Sequence, residues 1–183
     1  MMKWLAIVFL CIPLTVLTAQ DPVSLMELWD YGNPAATREK FRERLSEVNR
    51  SDDRNLLVAL LSQIAITYSL QGEFRTAHAE LDAILPLVDD RQTSGYVLYL
   101  LERGRTFNSA GKRQEAAELF HRAFDIARDI GHDYLAVDAA HMLAIALPLD
   151  EQMAWNRRAL EIAEESQSES ARDWLGTLYN NMG

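Results

Sequence analysis

Four histidines, His78, His121, His132 and His141, have the widest chemical range of any side chains in this sequence, because imidazole moves protons near neutral pH and ligates metals. Their spacing suits neither task. No two stand four residues apart to share one helix face, and there is no His-Glu-x-x-His sequence. Glu161, Glu164, Glu165 and Glu169 bring carboxylates together, but their helical spacing describes a solvated face rather than an acid/base pair. Serines occur without a Gly-x-Ser-x-Gly elbow, and no glycine-rich loop precedes a helix to cradle a phosphate. The single cysteine, Cys11, can neither close an intramolecular disulfide nor build a multi-cysteine metal site. The expectation is a chain with no catalytic residues, no metal and no cofactor.

The charge balance narrows the partners. Against 27 acidic residues stand 18 Lys and Arg, for a net charge of -9, and no stretch is dense in basic residues. Nucleic-acid affinity comes mostly from clustered cations on phosphates, so nucleic acid is not an expected partner. With 183 residues, 49% of them hydrophobic and only 8 Gly and 5 Pro, the chain is neither collagenous nor disordered and can bury a core.

Residues 1–19, MMKWLAIVFLCIPLTVLTA, carry Lys3, then an apolar run from Trp4 to Leu17, then small or polar residues. This reads as a signal peptide cleaved after Ala19, with an uncleaved short anchor and a lipidated Cys11 as the alternatives. The run has 14 residues and contains Pro13, whereas a membrane-crossing helix needs about 20 apolar residues. Export to the periplasm or the extracellular space is therefore expected, with the membrane involved only through an uncleaved leader. Losing Lys3 would take the net charge from -9 to -10 and leave no thiol.

From Asp21 onward the chain is one repeated pattern. Leu57, Val58, Leu61, Ile64, Ala65 and Tyr68 follow the spacing of a helix face, Gln71 and Gly72 break it, and Phe74, Ala77, Leu81, Ile84 and Leu85 form a second stripe. The pair predicts a helix hairpin. It returns at an offset of 39, where Leu100, Gly104, Phe107, Gly111, Ala116, Phe120 and Ala123 repeat Leu61, Ala65, Tyr68, Gly72, Ala77, Leu81 and Ile84. A third unit at an offset of 36 offers Ala140, Leu143, Ala159, Leu160 and Ile162, with Leu147 and Pro148 in place of the turn glycine. Ahead of these, Leu25, Leu28 and Trp29, a turn at Gly32-Asn33-Pro34, then Phe41, Leu45 and Val48 read as a degenerate leading hairpin. The predicted organisation is therefore a leading hairpin over 21–52, repeats over 53–90, 94–131 and 133–166, and the first helix of a further repeat over 170–183.

This arrangement of a small residue, an aromatic three later, a glycine turn, then alanine, a bulky residue and alanine resembles the tetratricopeptide repeat (TPR) family, of a bacterial exported type. The resemblance covers nearly the whole chain from Asp21. It departs from the family in having Leu61 and Leu100 at the tryptophan place, no closing proline, and units longer than the usual 34 or so residues. It implies an all-α fold, an α-solenoid of antiparallel hairpins wound as a right-handed superhelix. His78 and His121 then fall beside the matched Ala77 and Phe120 as surface or inter-helix residues.

At the far end Trp174, Leu175, Leu178, Tyr179 and Met182 turn apolar again before Gly183. Solenoid ends normally carry a polar cap, so the expectation is an N-terminal fragment of a longer repeat protein; the alternative makes Trp174 to Met182 the closing helix. If first helices line a concave groove, as the resemblance implies, its residues are Ser62, Ile66 and Ser69, then Leu98, Leu101, Arg105 and Asn108, then Tyr134, Val137 and His141, with Thr177 and Asn180 extending the row. Arg105 would take a carboxylate or a carbonyl, and Leu101 or Tyr134 would seat an apolar anchor. The family's Lys/Asn carboxylate clamp is not present, since Ser62, Ile66, Leu101 and Arg105 occupy the comparable faces. The expected function is non-catalytic: a scaffold that binds another protein, as a peptide or an amphipathic helix, in that groove. The alternative is an extracytoplasmic sensor segment whose membrane span and output domain lie beyond Gly183; an enzyme would need a catalytic domain there too.

Overall fold

The computed structural model of the chain describes residues 21–48 and 53–182. The leader, with Lys3 and Cys11, lies outside the described residues, as does Gly183. Among the described residues the fold is all-helical, with no strand and nine α-helices packed in neighbouring pairs.

The helices are α1 (Pro34–Glu47), α2 (Arg54–Ser69), α3 (Phe74–Ile84), α4 (Ser94–Ser109), α5 (Arg113–Asp129), α6 (Asp133–Ala146), α7 (Leu149–Glu165), α8 (Glu169–Arg172) and α9 (Leu175–Met182). Local chemistry sets their ends. Asn33, Asp53 and Thr93 cap α1, α2 and α4 by accepting from the backbone N–H groups of Ala36, Leu56 and Tyr96. Gly72 and Gly111 end α2 and α4 in the left-handed conformation, at φ of +78° and +79°. The Glu73 N–H bonds the Tyr68 carbonyl at 3.0 Å, and Lys112 repeats this on Phe107 at 2.9 Å, so each turn satisfies carbonyls that the helix end would leave open. Where the third pair has no glycine, Leu147 is extended and Pro148 stands at the start of α7.

Small residues bring the paired helices close. A Cβ placed on Gly104 would lie 2.4 Å from Cε1 of Phe120, so α4 and α5 meet at a distance that only glycine permits. Ala65 and Ala140 hold the corresponding place in α2 and α6, and both are fully buried. The pairs are not stacked identically. α4 packs chiefly on α2 and α5 and only lightly on α3, whereas α6 packs chiefly on α5 and α7. The cause is that α3 is short: Pro86 lacks a donor, a 3-10 turn over Leu85–Leu87 replaces the helix, and an irregular, bent stretch leads to Thr93.

The two ends depart from the expected hairpin scheme. The first limb of the leading unit is a 3-10 turn over Pro22–Leu28, not an α-helix. Its residue Leu25 is buried in the core, and the segment runs across α2 and α4 instead of standing beside them as another pair member. At the other end the expected single helix is two short ones, α8 and α9, broken at Asp173 and Trp174. Leu178 of α9 is fully buried, and Leu175 and Trp174 pack on the same core.

Candidate functional site

The helices α2, α4 and α6 share a face, and three polar residues stand there at one repeat register: Gln63, Glu102 and Asp138, separated by 39 and 36. Each is almost fully buried, at 1%, 3% and 4% exposure. Buried carboxylates require partners, and a chain of bonds supplies them. The Trp29 indole N–H donates to Gln63 Oε1 at 2.8 Å, and Gln63 Nε2 donates to Glu102 Oε1 at 2.9 Å. Arg105 Nη1 donates to the same Glu102 oxygen at 2.8 Å, and its Nη2 donates to Asp138 Oδ1. One guanidinium thus bridges α4 and α6 while Gln63 bridges α2 and α4. Burial pushes the Glu102 carboxyl above its ordinary range, and Arg105 and Gln63 offset this only in part. Burial also opposes the charge on Arg105, but Asp138 and Glu102 outweigh it and hold the guanidinium firmly cationic.

This network forms one wall of a cavity of about 330 Å³. The segment after the 3-10 turn supplies the opposite side. Trp29 and Tyr31 lie stacked with ring centroids 4.9 Å apart, and Trp29 rests edge-on against Phe41 of α1 at 5.4 Å. Trp174, placed by the break between α8 and α9, closes a third side, its ring 6.1 Å from Tyr134 and 5.2 Å from His141. Tyr134 is held well above the usual phenol range by burial first and by the charge of Asp138 second. Burial lowers the pKa of His141, with Asp138 partly opposing. Across the face, Asp21 Oδ1 lies 3.4 Å from His132 Nε2 at the start of α6, so the N-terminal segment reaches from α6 to α2. A wider cleft of about 660 Å³ lies beside it, lined by Asp21, Tyr134, Ser170 and Thr177.

Of the residues expected to form the groove, Ile66, Arg105, Asn108 and Tyr134 line the cavity. His141 stands behind its rim against Trp174, and Asn181 Nδ2 lies 3.4 Å from its Nδ1. The other five are placed elsewhere. Leu98, Leu101 and Val137 are at most 1% exposed and belong to the hydrophobic core. Ser62 is fully buried and donates to the Val58 carbonyl, and Ser69 is 3% exposed. The open face overlaps the expected one but is turned part of the way round each helix, so that Gln63, Glu102 and Asp138 line the cavity where Ser62, Leu101 and Val137 were expected. Arg105 is also committed to Glu102 and Asp138, and does not await a carboxylate. Thr177 borders the wider cleft, and Asn180 is exposed.

Gln63, Glu102, Asp138 and Tyr31 escaped the sequence reading, and Trp29 and Trp174 entered it only as apolar helix residues. The first three carried a usable signal, since polar residues recur at one register inside otherwise apolar helices. The aromatic residues carried none, because their place depends on how two irregular segments fold back. Among the described residues no three His, Cys, Asp or Glu side chains gather so as to hold a metal ion.

No protein-family model matches the chain, and no curated protein matches it. Among solved structures it is similar to BtubC (BKLC) from P. vanneervenii, with a TM-score of 0.60 and 16% identity over 81% of this chain. The match covers 66% of that protein's length, a little under two thirds, and at such identity the likeness is one of helical fold.

Proposed function

We propose that the chain is an exported helical-repeat binding module of the TPR type, a solenoid that holds a segment of another protein against the shared face of α2, α4 and α6 and performs no chemistry itself. The cavity carries this reading: aromatic walls converge on a fixed polar network, the composition of a recognition pocket rather than of a filled core. The offsets of 39 and 36, the glycine turns and the Gly104–Phe120 approach support the repeat architecture. Residues 1–19 support export.

Panning a random peptide display library on the immobilised full chain tests the binding role. Enriched peptides should lose binding to Tyr31→Ala and Leu70→Glu, which change exposed residues at the cavity, and keep it toward Glu118→Ala on α5. No enrichment, or equal loss with Glu118→Ala, would overturn it. N-terminal sequencing of the mature protein tests export, with Gln20 expected as the first residue.

A further inference from the structure

Resting on that reading, we infer that the cavity receives a basic side chain, a lysine ammonium or an arginine guanidinium, presented by the bound segment. The fixed charges facing the cavity are two carboxylates, Glu102 and Asp138, and one guanidinium, Arg105. Arg105 engages one oxygen of each carboxylate, and Gln63 shares the Glu102 oxygen already used. Among the described residues no protein donor reaches the second oxygens, Glu102 Oε2 and Asp138 Oδ2, and although the two residues are only 3% and 4% exposed, neither oxygen is sealed from solvent. Both are therefore acceptors in a confined space with a surplus negative charge behind them. A third acceptor, Asn108 Oδ1 on the same wall, is buried and has no donor among the described residues.

The remaining walls suit the same guest. Trp29, Tyr31, Tyr134 and Trp174 present four aromatic rings around the cavity, and ring faces attract cations, most strongly where water is excluded. An incoming carboxylate would meet two carboxylates and a guanidinium that is already engaged. A neutral apolar side chain would leave all three acceptors covered and without donors. A lysine or arginine supplies several N–H donors and a positive charge, while its methylene stem lies along Ile66, Leu70 and Met142. At about 330 Å³ the space is at the small end for ligand cavities and fits one long side chain rather than a helix.

The test uses blocked pentapeptides Ala-Ala-X-Ala-Ala, with X as Lys, Arg, norleucine or Glu, titrated into the full chain while the indole N–H signals of Trp29 and Trp174 are followed by NMR. The Lys or Arg peptide should shift both signals saturably, and norleucine and Glu should bind at least about tenfold more weakly. Glu102→Gln with Asp138→Asn keeps acceptors for Arg105 but removes the charge, and should weaken the basic peptide by a similar factor. If that variant unfolds, Asn108→Leu and Tyr31→Ala, which leave the Arg105 pairs intact, carry the same comparison. Equal binding of the norleucine or Glu peptide, or undiminished binding by the charge-removed variant, overturns the inference. Putrescine binding as tightly as the Lys peptide would assign the cavity to a free amine and overturn the peptide source. Panned peptides that occupy the cavity without a basic residue would sink this inference and leave the binding role standing, whereas an absence of any panned peptide removes both.

Discussion

Replacing Arg105 by Met probes the network most directly, because it keeps the stem and deletes the charge. The two carboxylates it bridges are 3% and 4% exposed, and the Arg105 side chain itself is 25% exposed, so little of the interaction is screened by solvent. Two hydrogen bonds between charged groups are lost, at about 1.5–3 kcal/mol each. Breaking a buried ion pair from one side costs about 3–5 kcal/mol. Some of this is recovered, because Gln63 still donates to Glu102. The Glu102 carboxyl, raised by burial even beside Arg105, also gains a proton more readily once the cation has gone. The net expectation is a loss of about 3 kcal/mol at neutral pH, a large share of the stability of an ordinary domain. In thermal terms that is a fall in Tm of roughly 6–12 °C.

Urea unfolding followed by far-UV circular dichroism measures this. Acidification should narrow the gap between Arg105→Met and the parent. A carboxyl whose folded pKa is raised contributes stability that is full below its unfolded pKa and is lost as pH rises through the folded value, and in the variant that rise is larger. Adding Glu102→Gln and Asp138→Asn to Arg105→Met should restore stability to within about 1 kcal/mol of the parent, since no buried charge is left alone. A loss below about 1 kcal/mol for the single variant, or a triple variant no better than the single, would refute the network as a coupled unit.

Three further outcomes follow from the same geometry. Gly104→Ala places Cβ 2.4 Å from Phe120 Cε1, so overpacking of about 1–3 kcal/mol should exceed the helix-propensity gain of about 1 kcal/mol, and Phe120→Leu should make the alanine tolerable in a double-mutant cycle. Gly111→Ala meets no neighbour yet should cost about 1–2 kcal/mol because φ is +79°, whereas Gly176→Ala, in α9 with open space around it, should be neutral or stabilising in thermal melts. His141, whose pKa is lowered chiefly by burial, contributes stability that is present above its unfolded value near 6.5 and is lost as pH falls through the folded value. His141→Gln should therefore flatten the fall in urea midpoint between about pH 7 and pH 5, leaving the part due to His78, which burial lowers in the same way.

The turn glycines were legible because their signal is local. Gly72 and Gly111 mark where α2 and α4 end through bonds made within six residues, so sequence alone places those breaks. The open face was not legible for a reason found in the same helices. Twelve of the sixteen residues of α2 are buried, as are ten of the fourteen in α6, so these helices are apolar nearly all round and no single stripe marks the side that lacks a neighbour. α3 and α5, buried along one stripe only, are read correctly as amphipathic. The segment from Asp21 to Tyr31 was misjudged because its apolar residues suit a helix stripe equally well. What decides is tertiary: Leu25 finds a place in the core and the Trp29 indole finds Gln63.

That segment also alters how the molecule comes apart. In a row of helix pairs that touch only their neighbours, unravelling starts at either end and proceeds pair by pair, with stability close to a sum of local terms. Here Asp21 meets His132 across 111 residues of sequence, and Trp29 meets Gln63, so a single short stretch is tied to the second and the sixth helix together. The helices from α2 to α6 cannot separate from one another while it holds. Releasing the crosspiece becomes the first step of opening, and amide hydrogens in α2 and α6 should then exchange as one kinetic unit instead of two.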